Sequence, residues 1–366
     1  MKKHLIAAAV AAAVAVPAAA QVTISGTLDI TPLAQDKHNI GATTVKRNST
    51  TNAIGAGGGF STSLLNFSGT EDLGGGLKAS FLVNQVINGN SGEFTARDRF
   101  ISLTGGFGEF KAGRFATLAD SYGSFAAGAG TSNTAGTSNS APFALVTGSL
   151  GADPTVATTV VTAGAAAGGD MGRQSGVVQY STPTMSGIKV SLEYLNNSAD
   201  TNATDNKTSA KQSSVSITYA AGPLSLNLTN ASRDVTTEAT VTNPEASLTW
   251  LGIRYALGSA TLFVSHGKRE DKSSGAKTSD IGVSNVGVQF AAGANTLFAS
   301  VYDGEDKRDG TEENKRNHDG YQIGVRHALS KRTSVYLVNG ENEMKGATEA
   351  TTFKRDNTSI GLVHSF

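Results

Sequence analysis

The side chains best able to carry out chemistry in this sequence are its histidines. After residue 20 they occupy positions 38, 266, 318, 327 and 364, scattered along the chain. The sequence has no cysteine, and none of the HExxH, GxSxG or Walker-type glycine patterns that accompany metal, nucleophile or phosphate sites. A membrane-embedded hydrolase would need a nucleophile beside a positioned base. We therefore expect no enzyme, no metal site and no cofactor.

Unlike the histidines, a set of charged side chains is grouped in the sequence, around one long polar segment at residues 116–173. The segment itself contains three acidic residues, Asp120, Asp153 and Asp170, and the candidate basic residues at its end and in the preceding flank are Arg97, Arg99, Lys111, Arg114 and Arg173. Opposite charges that face each other across a water-filled path order water and sort small ions. That chemistry requires a frame able to hold such a path open.

The frame predicted by the sequence is made of β-strands. Ile188, Val190, Leu192 and Tyr194 alternate with polar residues, and the same period of two recurs along the chain, for example at residues 215–219, 224–229 and 321–327. This period is typical of a strand with one apolar and one polar face. No segment shows a convincing helical face or 18 consecutive apolar residues, so no transmembrane helix is expected.

Connections between these strands alternate between two kinds. Short breaks lie at residues 72–76, 105–108, 183–187, 221–223, 257–259, 291–294 and 329–333. Long polar stretches lie at residues 31–61, 87–95, 116–173, 197–210, 233–245, 270–280, 304–319 and 343–353. Seven short and eight long connections predict sixteen strands of roughly 9–11 residues, the arrangement of outer-membrane barrels with short periplasmic turns and long external loops. The predicted fold is an all-β, 16-stranded antiparallel transmembrane β-barrel.

The first residues are typical of a secretory signal peptide. Lys2 and Lys3 precede an Ala/Val run too short to span a membrane, and small residues follow it. We expect cleavage after Ala20, which leaves residues 21–366 as one barrel domain. Removing the two lysines from the 30 Lys and Arg leaves 28, against 30 Asp and Glu. This near neutrality argues against a nucleic-acid partner.

Two motifs resemble those of betaproteobacterial general porins of the neisserial and burkholderial type. Residues 68–79, SGTEDLGGGLKA, resemble the hairpin between the second and third strands of these porins, and residues 328–333, ALSKRT, resemble the turn after strand fourteen. Weaker matches at residues 107–114, 176–182 and 362–366 extend the resemblance over nearly the whole mature chain. The resemblance implies an outer-membrane homotrimer of water-filled diffusion channels surrounded by lipid and lipopolysaccharide. Phe366 resembles the terminal signal read by the barrel-assembly machinery.

The resemblance also implies a pore constriction, because the third long loop of general porins folds into the lumen. Here that loop is the segment 116–173, with Asp120, Asp153 and Asp170 opposite wall residues Arg97, Arg99, Lys111, Arg114 and Arg173. Arg173 is the best placed, and simple alternation does not decide which face Arg97 and Arg99 occupy. The second strand departs from the family, with Leu64 and Ser68 where arginines are common.

Basic residues outnumber acidic ones at other positions expected to face the lumen, which are Lys78, Lys189, Glu193, Arg254 and Arg326. This predicts weak anion selectivity. Two other roles for a barrel stay open: a substrate-specific channel, for organic acids or phosphate, and an adhesin or phage receptor.

Overall fold

The computed structural model places the chain in one closed antiparallel sheet. It describes residues 22–40, 43–49, 53–54, 60–88, 92–121, 171–201, 206–237, 243–309, 311, 315–346 and 353–366. Each strand pairs with its neighbours in sequence, and the last strand pairs with the first. The predicted signal peptide lies outside the described residues. No described residue belongs to a helix long and apolar enough to cross a membrane.

The wall of the barrel has sixteen strand positions. The second position, β2, consists of three successive segments that all pair with β1: Thr43–Ser49, Ala53–Ile54 and Leu64–Gly74. The other strands are β1 Thr23–Ile40, β3 Leu77–Asn88, β4 Glu93–Gly105, β5 Gly108–Ala116, β6 Arg173–Ser181, β7 Ile188–Thr201, β8 Asn206–Ala221, β9 Leu224–Thr237, β10 Pro244–Leu257, β11 Ala260–Ser273, β12 Ala276–Ala292, β13 Asn295–Arg308, β14 Lys315–Ala328, β15 Thr333–Lys345 and β16 Phe353–Ser365. The predicted sixteen-stranded barrel is confirmed.

All seven short connections predicted from the sequence join adjacent antiparallel strands. They are tight because glycines at several of them adopt positive φ, for example Gly222 at 54° and Gly258 at 58°. Two-residue hairpin turns require such angles, which are costly for other residues. These turns lie at the same end of the barrel, opposite the long connections.

The prediction of a long loop at residues 270–280 is wrong. There β11 and β12 continue to a two-residue turn, Ser274-Gly275, in which both residues have positive φ. The polar residues that suggested a loop are cross-strand partners instead: Lys277 Nζ lies 2.6 Å from Glu270 Oε2, and Lys268 pairs with Asp280. Cross-strand ion pairs of this kind stabilise a ladder in water. Several strands are longer than the predicted 9–11 residues; β12, which contains Lys277 and Asp280, has 17.

The two faces of the wall follow the alternation of the sequence. Large apolar side chains such as Ile101, Leu192 and Val301 are exposed on the outer face, while Ser191, Glu193 and Ser265 between them are buried on the inner face. An apolar outer band and a polar interior are the arrangement of a barrel surrounded by lipid.

The sheet closes where β1 meets β16. Gly26 and Phe366 exchange two backbone hydrogen bonds of 3.0 Å. On the outer face the Phe366 ring lies over Gly26, so close that a Cβ at residue 26 would contact both the ring and the Leu64 carbonyl oxygen. The glycine is needed at this seam because the ring occupies the space of its missing side chain.

Candidate functional site

Two β-bulges shape the inner wall near the long third connection, and one of them lies in the two strands that this connection joins. The ladder between β3 and β4 shifts register at Val83/Gln85, and the ladder between β5 and β6 shifts at Gly113/Phe115. A bulge inserts a residue and re-aims the neighbouring side chains. Gly113 has a φ of 146°, and a Cβ there would contact the backbone of β4, so only glycine fits this close approach.

Four charged side chains meet on the inner face near these bulges, a group referred to below as the wall cluster: Arg97, Asp98, Asp120 and Arg173. Arg173 Nε donates to Asp98 Oδ1 at 2.6 Å, and Arg173 Nη2 lies 3.9 Å from Asp120 Oδ2. Arg97 Nε lies 4.0 Å from Asp98 Oδ2. All four side chains keep some exposure, between 15% and 28%. The strong charges therefore stay hydrated while holding one another in place.

Lys111 faces inward beside the wall cluster. Its Nζ lies 4.0 Å from the centroid of the Phe115 ring and 5.3 Å from that of Phe100, and the two rings pack edge to face at 5.7 Å. Ring faces attract cations at these distances. The aromatic pair therefore fixes the position of the ammonium group within the lumen.

Glu193 on β7 holds the start of the third connection against the wall. Its Oε2 accepts hydrogen bonds from Leu118 N at 3.0 Å and Gln179 Nε2 at 3.3 Å, while Oε1 accepts one from Ser214 Oγ at 3.2 Å. Glu193 is buried, at 5% exposure. This carboxylate therefore satisfies a backbone N–H that the third connection would otherwise leave unpaired.

The two ends of the third connection are also tied to each other. Thr117 Oγ1 donates to the Met171 carbonyl oxygen at 2.6 Å, and Thr117 N donates to the Gly172 carbonyl oxygen at 3.3 Å. The same Met171 oxygen accepts from Gln212 Nε2 of β8 at 3.3 Å. We refer to this arrangement as the loop clamp.

An apolar patch inside the barrel receives both ends of the third connection. Ala119 and Met171, each fully buried, join inward-facing residues of β9, β10, β12 and β13, namely Ala231, Ala246, Leu248, Trp250, Ile281, Val283 and Tyr302. Apolar side chains on the inner face of a barrel with a polar interior need a partner. The described ends of the third connection thus point into the barrel, across from the wall that carries Arg173.

Not all of the basic residues singled out from the sequence face inward. Arg99 and Arg114 are direct register partners, and they share the outer face with the exposed Ile101 and Phe110. Arg114 Nη1 donates to Ser175 Oγ at 3.2 Å. Asp153 and Asp170 lie outside the described residues. The bulge at β4 thus separates Arg97 from Arg99, which simple alternation would have kept on one face.

Two residues of the inner face are not indicated by the sequence pattern, Asp98 and Phe60. Strict alternation places Asp98 on the face opposite to Arg97, and a bulge leaves no clear local signature. Phe60 was counted as part of a polar loop, yet it is buried inside the barrel, with its ring centroid 5.8 Å from that of Phe298 and 5.2 Å from that of Tyr336. The single large apolar residue after the glycines at 55–59 was the available clue.

The geometry favours handling of ions over bond chemistry. The wall cluster presents two guanidinium groups and two carboxylates on one side of a barrel. Among the described strands, His266, His327 and His364 hydrogen-bond to Ser284, Asn295 and Thr333 on exposed positions. Within the described part of the chain no three His, Asp or Glu side chains are placed to hold a metal ion.

Comparisons with known proteins agree with this architecture. A family profile described as Gram-negative porin matches residues 7–347. The outer membrane porin protein 32 of Delftia acidovorans is 41% identical over 120 residues, which cover 31% of this chain and 32% of that protein. The aligned stretch therefore spans about a third of the length of this curated relative.

Two solved structures share the fold over almost the full length. The anion-selective porin from Comamonas acidovorans superposes with a TM-score of 0.70 and 21% identity, covering 95% of this chain and 100% of that one. OmpT of Vibrio cholerae in its trimer form gives a TM-score of 0.64 and 13% identity, again over 95% and 100%. At these identities the likeness extends to the fold alone.

Proposed function

Because the chain belongs to the Gram-negative porin family and hence to the outer membrane, we propose that it forms a water-filled channel for passive diffusion of small hydrophilic solutes and ions. The observation that carries this proposal is the wall cluster inside a closed barrel, in which Asp120 and Arg173 belong to the two ends of the third connection. A sixteen-stranded barrel is too wide for its wall side chains to fill. Its narrowest part must therefore be built by an inserted segment.

The constriction that we propose consists of Arg97, Asp98, Lys111, Arg173 and Glu193 on the wall, together with the third loop, which contributes Asp120. Its composition differs from the full sequence-based set. Arg97, Lys111, Asp120 and Arg173 remain in it, and Asp98 and Glu193 join it. Asp153 and Asp170 stay predictions, while the outer-face position of Arg99 and Arg114 makes them candidates for contact with lipid or a neighbouring subunit.

The proposed channel is weakly anion-selective. Lys78, Lys189, Arg254 and Arg326 occupy inward-facing strand positions near the short turns, and they outnumber the acidic Asp72, the register partner of Lys78, and Glu109 on the same face. Rings of basic side chains raise the local concentration of anions. The solved porin with the higher TM-score is itself described as anion-selective, which is consistent with this proposal at the level of the fold.

Export, assembly and oligomeric state complete the proposal. The chain would be exported with cleavage after Ala20, assembled by the barrel-assembly machinery with Phe366 as part of its signal, and embedded in lipid and lipopolysaccharide as a homotrimer. The trimer is supported by the trimeric form of the structurally similar OmpT. No nucleic acid and no catalytic step enter this function.

Planar-bilayer recordings test the proposal directly. In a KCl gradient the reversal potential should indicate modest anion preference, and single channels should close in three steps. Arg173→Gln should shift the preference towards cations because Asp98 and Asp120 lose their partner, whereas Arg99→Gln on the outer face should leave it unchanged. A marked cation preference of the unmodified protein would refute the selectivity, and absence of conductance would refute the channel.

Liposome swelling separates the general porin from a substrate-specific channel. A sharp size cut-off across neutral sugars, without chemical preference among them, is expected for general diffusion. Saturable uptake of one solute class, such as organic acids or phosphate, would support the specific channel instead.

A further inference from the structure

A second group of inward-facing residues stands apart from the constriction, on β10–β15. Its centre is an aromatic cluster of Phe60, Phe263, Phe298 and Tyr336, all at or below 5% exposure. Phe60 is delivered to this wall by the segment that precedes the last part of β2, and the other three are strand residues of the inner face. The four rings pack together on the inside of the barrel, and the Tyr336 hydroxyl donates to the buried Asp29 Oδ1 at 2.8 Å.

Two arginines lie against this aromatic cluster. The guanidinium carbon of Arg254 is 5.3 Å from the centroid of the Phe263 ring, and that of Arg326 is 5.6 Å from the centroid of Phe60. Both distances are within the range of a cation–π contact, about 6 Å. Arg254 lies in register with Phe263, and Arg326 with Tyr336. The rings of Phe263 and Phe60 therefore hold the two guanidinium groups in place.

These guanidinium groups differ from three other inward-facing arginines in what they contact. Arg173, Arg269 and Arg308 each donate to a carboxylate. Within the described residues no carboxylate lies within ion-pairing distance of Arg254 or Arg326, and both side chains are exposed. Their N–H donors thus remain open to the lumen, near the turn end of the barrel.

We propose that Arg254 and Arg326, supported by the aromatic cluster, form a binding station for small aromatic carboxylates on their way through the channel. A guanidinium group offers a planar fork that matches a carboxylate with two parallel hydrogen bonds. Its free face also stacks on an aromatic ring, which an ammonium group cannot reproduce. A solute carrying both a carboxylate and a ring satisfies both features, whereas chloride satisfies only the charge.

This inference rests on the proposed channel function and is tested in the same bilayers. Benzoate added to a KCl solution should reduce the chloride conductance in a saturable manner. The half-blocking concentration should rise about tenfold in the Arg254→Gln/Arg326→Gln double variant, which corresponds to about 1.4 kcal/mol of lost binding. Acetate should block much more weakly than benzoate. Conductance in KCl alone reports that the channel has folded and opened.

Two control variants separate a specific station from general positive charge. Lys78→Gln removes one inward-facing charge from the same end of the barrel but from another wall, so benzoate block should be unchanged. Arg254→Lys/Arg326→Lys keeps both charges and the fold, so the reversal potential in KCl should stay constant while benzoate block weakens. Equal block by acetate and benzoate, equal loss in the Lys78 variant, or full block in either double variant would overturn the proposal. A protein that conducts no KCl at all would instead refute the channel function.

Discussion

We predict that the carboxylate of Glu193 keeps the base of the third loop in place. Replacing Glu193 should therefore make the current through the open channel fluctuate between conductance levels. In Glu193→Ala the N–H of Leu118 loses its acceptor at 3.0 Å, and the Gln179 amide loses one at 3.3 Å. An unsatisfied buried donor costs about 1–3 kcal/mol. This cost falls only on the state in which Leu118–Asp120 are seated against the wall.

The magnitude follows from that difference between states. Since 1.4 kcal/mol is a factor of ten, a loss of about 1–3 kcal/mol raises the released fraction of the loop base roughly 5- to 140-fold. Transitions to other conductance levels should become correspondingly more frequent in single-channel recordings at constant voltage. The mean conductance should change less, because the apolar patch still contacts Ala119 and Met171.

Glu193→Gln is the matched control for this experiment. One amide oxygen can still accept from Leu118 and Gln179, and the amide nitrogen can donate to Ser214, whose hydroxyl accepts as well as donates. Single-channel recordings of this variant should therefore show about the same frequency of transitions as those of the unmodified protein. If Glu193→Ala is as quiet as the unmodified channel, or if both variants are equally noisy, the hydrogen bond to Leu118 does not hold the loop and the reasoning fails.

Two further predictions concern the stability of the barrel. Gly26→Ala should displace the Phe366 ring from the seam, at a cost of about 1–3 kcal/mol from overpacking. It should therefore lower the temperature at which the folded barrel unfolds in detergent. Gly106→Ala, which has open space at its Cβ, should leave that temperature unchanged. Arg269→Met should lower the stability of the barrel in urea by about 3–5 kcal/mol, because the fully buried Asp271, now paired with Arg269 at 2.9 Å, would keep an uncompensated charge. Lys345→Ala, which removes an exposed pair with Asp319, should leave the stability in urea unchanged. A larger loss in the Lys345 variant than in the Arg269 variant would contradict this account.

Much of the fold could be predicted because its determinants are local. Alternation at residues such as 188–194 fixes which face is apolar, and glycines with positive φ mark the short turns. The predicted loop at 270–280 rests on the polarity of that segment alone. Above the membrane, however, a strand can be polar on its outer face when cross-strand charges pair, as Lys277 and Glu270 do.

The site could be predicted only in part because the deciding features are not local. Arg173 and Asp120 were expected to contribute, and they do meet on the inner face. The separation of Arg97 from Arg99 depends on a bulge set by the register between β3 and β4. The part of the aromatic cluster that contacts Arg326 is Phe60, which is far from Arg326 in the sequence. Contacts of that kind follow from closure of the barrel and from no pattern within a single strand.

The loop clamp makes the third loop a separable module. Thr117 ties the two ends together through Met171 and Gly172, so the barrel meets a fixed pair of attachment points whatever the number of residues between them. Lengthening an already closed loop costs little, about 0.6 kcal/mol per doubling. The segment between these two points can therefore be exchanged, shortened or extended by evolution or by design without changing the wall to which it is attached.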